Sequence, residues 1–242
     1  MHIDQLDVQL RPRTAWEAME LGTSLVRRHA GAIWKPWLIV TLPVLALISL
    51  LSWATGQYWL APILLWWIKP IFERIPLYVI SRGVFGAEPG TLETLRAQRS
   101  WGWSGMAGYL TWRRFGLARS LLMPVDLLEG GTPSQRTQRR HSLGGGVYGH
   151  GVLVTWLMLS AEVMLRLALV ALFFMFVPFD LLSDSMRAFW DLVRHDPPGW
   201  VKIGGNVVYW LAITLIAPFY VGAGFGLYLN RRTQLEAWDV EM

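Results

Sequence analysis

Residues 37–54, WLIVTLPVLALISLLSWA, contain no charged side chain, and a helix over them would be about 27 Å long at about 1.5 Å of rise per residue. That nearly matches the hydrocarbon core of a bilayer, so the run reads as a membrane span. Three further long apolar segments follow, at 59–82, 152–177 and 205–229. The composition agrees with a membrane chain. Of the 242 residues, 53% are hydrophobic and 16% charged, with a mean hydropathy of +0.34, whereas soluble domains average about a quarter charged. The 15 tryptophans suit the boundary between acyl chains and headgroups. The expected fold class is all-α: a polytopic helical membrane protein with four transmembrane helices, at 34–54, 58–82, 152–177 and 205–229, plus amphipathic interfacial helices. A single helical membrane domain is expected over residues 1–242.

Basic residues near span ends stay on the cytoplasmic side. The segment before the first span, the connection 82–149 and the tail after the fourth span hold sixteen Lys and Arg residues, while the opposite side holds Arg187, Arg194 and Lys202. This asymmetry predicts an N-in/C-in topology. Residues 1–13, MHIDQLDVQLRPR, have no apolar core of the kind a cleaved signal requires, so the first span is expected to direct insertion and the N-terminus to be retained. Without cysteine there are no disulfides, thiolate ligands or thiol nucleophiles.

An amphipathic helix is expected over 14–30, capped by Thr14 with Glu17 three residues on. Trp16, Met19, Thr23 and Val26 share one face, and Glu17, Glu20, Arg27 and Arg28 the other. Such a helix lies along the cytoplasmic interface or packs on the cytoplasmic connection, since amphipathicity does not separate lipid from protein. The basic connection 83–151 divides in two. Its first part, to about residue 128, reads as short surface helices, with a re-entrant excursion over 104–128 as the alternative. Residues 130–151, GGTPSQRTQRRHSLGGGVYGHG, read as a mobile glycine-rich linker.

The second and third apolar segments carry charges near mid-span: Lys69, Glu73 and Arg74 in one, Glu162 and Arg166 in the other. At bilayer depth each costs about 2.5 to 3.5 kcal/mol on insertion scales and normally faces protein or a polar cavity. Lys69 with Glu73 and Glu162 with Arg166 have i,i+4 spacing. If the two segments pack antiparallel, Arg74 and Glu162 fall at the same depth as a cross-helix pair. Pro70 and Pro76 each remove a helix hydrogen bond, freeing the Trp66 and Phe72 carbonyls and marking a place for a kink. The network is either structural or the lining of a polar path.

Arg113, Arg114, Arg119, Arg136, Arg139 and Arg140 suggest a cytoplasmic surface for anionic headgroups or a protein partner, each charge worth about 1 kcal/mol near an anionic leaflet. Arginine next to spans already follows from topology, so nucleic acid is not expected. Gly222 and Gly226 suit close helix packing rather than a nucleotide fingerprint, because they neither follow a strand nor open a soluble helix. The triple glycine 144–146 lacks P-loop companions, and the histidines lack HExxH spacing. Ser104 sits in GWSGM rather than a nucleophile elbow. No catalytic constellation, metal site or cofactor is expected. An enzyme acting on lipid headgroups would have to draw on Asp180, Asp184, His195 or Asp196 on the outer side.

Three stretches carry a resemblance: WWIKPIFERIPLYVISRGVFG, TWRRFGLARSLLMPVDLLEG and APFYVGAGFGLYLNRRTQLEAWDVE. They resemble the N-terminal membrane region of proteobacterial DUF4129-type proteins encoded beside MoxR-type AAA+ ATPases. The ending LYLNRRTQLEAWDVE is similar, over a shorter length, to the close of the membrane domain of bacterial glycerophosphodiester phosphodiesterases. The first resemblance implies a multi-pass protein of the bacterial inner membrane, with protein partners from a MoxR-type cluster, and it brings no catalytic residues. Family members continue past the WDVE segment into a further domain, so it also implies a longer chain or a second protein supplying that domain. The expected function is a non-enzymatic inner-membrane scaffold or assembly component. A transporter or lipid-handling protein using the mid-span charges is the alternative.

Overall fold

The computed structural model describes residues 11–103, 105–175, 186–187, 190–191 and 198–236. Among these the regular elements are all helical: α1 (Ala15–Arg28), α2 (Ala30–Thr55), α3 (Leu60–Gly83), α4 (Thr91–Ala97), α5 (Met106–Leu110), a 3-10 turn (Trp112–Phe115), α6 (Arg119–Leu128), α7 (Pro133–Gly144), α8 (Tyr148–Met175) and α9 (Gly199–Glu236). Three of them, α2, α8 and α9, are long and apolar enough to cross a membrane. α2 and α8 leave much of their apolar surface uncovered: Leu47, Leu50 and Trp53 on one, Met164 and Leu167 on the other, are exposed. A water-facing surface rarely tolerates patches of that extent.

α9 is the central helix. It packs against α1, α2, α3, α6, α7 and α8, and its 38 residues correspond to about 57 Å, well beyond a hydrocarbon core of about 30 Å. Trp37 and Phe72 pack edge to face in a cluster with Ile75, Ile213 and Ala217 that joins α2, α3 and α9. The Trp37 and Trp34 indole N–H groups donate to the Thr214 hydroxyl and carbonyl at 3.2 and 3.1 Å. At one end of the molecule Gly199 and Lys202 of α9 meet Tyr58, in the short link between α2 and α3. At the other end, the C-terminal half of α9 shares a core with α1, α6 and the start of α8.

α1 has the capping box expected at Thr14 and Glu17, but its buried face differs from the expected one. Ala18, Met19, Gly22, Leu25 and Val26 are buried, whereas Trp16 is 61% exposed. The reason is close approach to α9. A Cβ on Gly22 would lie 1.9 Å from the Gly222 carbonyl oxygen, and one on Gly226 would lie 2.0 Å from that of Ala18. Small residues, rather than the largest apolar ones, define this contact. Asn230 adds a reciprocal pair of hydrogen bonds to the Arg13 backbone, at 2.8 and 2.9 Å.

The expected linker at 130–151 contains α7. Thr132 caps it through a reciprocal box with Gln135, and Pro133 occupies the first turn, where its missing N–H costs nothing. The connection 83–151 thus includes four helices and the 3-10 turn. α9 begins before the expected residue 205 and ends after 229.

Candidate functional site

Of the charges expected near mid-span, Lys69, Glu162 and Arg166 line a cavity of about 360 Å³ bounded by α3, the 3-10 turn, α6, α8 and α9. On α3, Lys69, Glu73 and Arg74 are all buried and lie within about 4 Å of the helix midpoint along its axis. Lys69 forms an ion pair with the Glu162 carboxylate of α8. Glu73, fully buried, accepts from the Arg119 guanidinium of α6 at 2.7 Å. Arg119 also stands 5.5 Å from the Tyr220 ring centroid.

The expected Arg74–Glu162 pair is replaced by Lys69–Glu162. Arg74 donates instead to the backbone carbonyls of Trp101 and Gln98, at 2.7 and 3.2 Å, and its guanidinium lies 4.1 Å from the Trp103 ring centroid. Helix geometry accounts for the exchange. At about 100° per residue, Lys69 and Glu73 point within about 40° of each other, while Arg74 is about 140° from Lys69. With Lys69 turned to Glu162 of α8 and Glu73 to Arg119 of α6, Arg74 faces the segment after α4. The expected i,i+4 pairs are also superseded, since Arg166 donates to the Glu162 backbone carbonyl at 3.3 Å and lies over Tyr209, 4.9 Å from its ring centroid.

Arg114 and Arg119, expected on a cytoplasmic surface, are buried in the site. Pro70 has no N–H to give the Trp66 carbonyl, and the Arg114 guanidinium donates to that carbonyl while stacking 3.9 Å from the Trp66 ring centroid. The signal was present in the sequence as a carbonyl without a donor, but nothing in the sequence identified the donor. The rest of the arginine group is also internally engaged. Arg113 and Arg140 bind the buried Asp126 carboxylate at 3.2 and 3.3 Å. Arg139 bridges Glu129 and Glu236, at 2.7 and 2.6 Å, and Arg136 donates to the Gly131 carbonyl at 3.1 Å. Asp126 also accepts from the Tyr109 hydroxyl at 2.6 Å, and burial, followed by this carboxylate, pushes the Tyr109 pKa well above its usual value.

Glycines set the walls. A Cβ on Gly224 would lie 2.3 Å from the Ser120 carbonyl carbon, and one on Gly151 would lie 2.9 Å from the Ala118 Cβ, so α6 sits tight against both α9 and α8. The Tyr220 hydroxyl accepts from the Ser120 amide at 3.2 Å and lies 3.3 Å from the Thr155 hydroxyl. These neutral groups were not singled out from the sequence, because only the folded chain brings 120, 155 and 220 together.

Lys69, Arg114, Arg119 and Arg166 line the cavity together with Glu162. Its rim includes Phe115, Leu117 and Leu159, which are more than half exposed. A second cavity of about 640 Å³ lies beside α5, α6 and α7, and Gly116 and Arg119 line both. Arg119 therefore stands in the partition. Among the described residues no group of three or more metal-ligating side chains comes together. Asp180, Asp184, His195 and Asp196 lie outside the described residues. The arrangement is suited to holding an anion through charge and hydrogen bonds. Comparison with protein-family models, curated proteins and solved structures gives no match.

Proposed function

We propose that this chain is a multi-pass protein of a bacterial inner membrane, with four spans and both termini cytoplasmic, that handles an anionic amphiphile. The charged head enters the cavity among α3, α6, α8 and α9 while the hydrocarbon stays in the bilayer. One observation carries the reading: a cavity midway along α3 and α8 is lined by four cationic side chains and rimmed by exposed apolar ones. Buried charge at that depth is costly unless it has partners, and an amphiphile satisfies the polar lining and the apolar rim together. The four-span reading is supported by α3, which lies against α2 and α9 with its mid-helix charges buried. The orientation is supported by the placement of the arginine-rich elements α1, α7 and the end of α9 opposite the Tyr58 link.

Lipid analysis of the protein purified from membranes tests the reading. Anionic lipid should be retained in preference to zwitterionic lipid, and Arg166→Gln should reduce that preference. Equal retention of both classes, with protein partners recovered by crosslinking, would reject it in favour of a scaffold in a MoxR-type assembly.

A further inference from the structure

We infer that the head held in this cavity is a lipid-borne phosphate monoester, an inference that rests on the amphiphile-handling reading above. The first argument is charge balance. Lys69, Arg114, Arg119 and Arg166 line the cavity, and the carboxylates paired into this network are Glu162 and Glu73. Four cations against two carboxylates leave a surplus of two positive charges. All of these groups except Arg166 are more than nine-tenths buried; with Lys69 and Arg119 each paired to a carboxylate, the surplus sits on the buried Arg114 and the partly exposed Arg166. A phosphate monoester carries about 1.5 to 2 negative charges at neutral pH, as a phosphorylated side chain does. A phosphodiester or a carboxylate carries one and leaves one of these two cations unmatched.

The second argument is hydrogen bonding. The Nε atoms of Arg114 and Arg119 are buried without a hydrogen-bond partner, although each side chain already has one other bond fixing its position. A guanidinium offers five N–H donors in a planar fork that matches phosphate oxygens. The Tyr220 and Thr155 hydroxyls stand in the same wall, supplying neutral groups for the remaining oxygen. The third argument concerns the source of the phosphate. The exposed rim of Phe115, Leu117 and Leu159 offers contact to hydrocarbon, which free phosphate lacks.

The test uses the full chain in phosphatidylcholine nanodiscs with dioleoyl phosphatidic acid, dioleoyl phosphatidylglycerol or inorganic phosphate as probe, read by native mass spectrometry. Phosphatidic acid should bind about tenfold or more tightly than phosphatidylglycerol, and equimolar inorganic phosphate should not displace it. Arg166→Gln should narrow that preference and Arg166→Lys should restore it. Arg166 is the partly exposed member of the set, and its removal leaves the Lys69–Glu162 and Arg119–Glu73 pairs in place. Equal binding of the two anionic lipids would overturn the monoester assignment while leaving the amphiphile reading intact. Displacement by inorganic phosphate would overturn the lipid source. If neither lipid binds above the phosphatidylcholine background, both readings fall.

Discussion

Among the described residues Glu162 forms its ion pair with Lys69, and the consequences of removing either member differ from those at Arg74. Breaking a buried pair by deleting one side strands the other charge, at a cost of roughly 3 to 5 kcal/mol. Lys69→Gln and Glu162→Gln should therefore each lower thermal stability in detergent more than the double substitution does, with a coupling of about 1 kcal/mol or more. Arg74→Gln should instead combine additively with Glu162→Gln, within about 0.5 kcal/mol, because Arg74 serves the carbonyls of Trp101 and Gln98. A large Arg74–Glu162 coupling would contradict the geometry. Residue type and depth were readable from the chain; partner choice was not. Depth matching favoured Arg74 opposite Glu162, but depth does not fix the direction around α3, where Glu73 meets Arg119, 46 positions further along the chain. Arg119 looked like a surface arginine because sequence counting for topology treats every basic residue in a connection alike.

Helices α1 and α7 are attached by different forces, so different perturbations should release them. α1 rests on α9 through glycine and backbone, where no flexible side chain can move aside. Gly226→Val should cost about 1 to 3 kcal/mol by overpacking and speed hydrogen exchange throughout α1; unchanged exchange would show that the contact is loose. α7 buries only Leu143 and Gly144 and is held by Arg139 to Glu129 and Glu236, and by Arg140 to Asp126. Burial raises the Glu236 pKa, but hydrogen bonds from Arg139 and Arg232 outweigh it and leave the carboxyl below its ordinary range. A depressed carboxylate contributes fully above its unfolded pKa and loses that contribution as pH falls through the folded one. Exchange protection of α7 should thus hold down to the usual carboxylate range and fall below it, whereas loss near neutrality would assign its docking elsewhere. The long apolar helices were legible because hydropathy is a local property. α7 was hidden by the flanking glycines, although its Thr132–Gln135 box has the same spacing as the box recognised at α1.

For the whole molecule, α9 links the two ends, one at Tyr58 and Gly199 and the other at Arg139 and Glu236. Impermeant thiol labelling of single cysteines, introduced into this cysteine-free chain, should mark positions 56 and 191 from outside the cell and position 134 only after permeabilisation. Labelling of position 134 in intact cells would invert or break the proposed topology. The seat of α1 on α9 also has a consequence in time. Gly22 and its partners Gly222 and Gly226 are separated by about 200 residues, which a ribosome adding about 5 to 20 residues per second spans in roughly 10 to 40 s. During that interval the Ala18–Gly22–Val26 face lacks its cover from α9, and the nearby apolar phase is the bilayer surface. Stalled chains lacking α9 should accordingly show α1 labelled by a lipid-phase reagent, and the released full chain should not. α9 thus retrieves α1 from the membrane surface, so docking of α1 reports that α9 has been inserted.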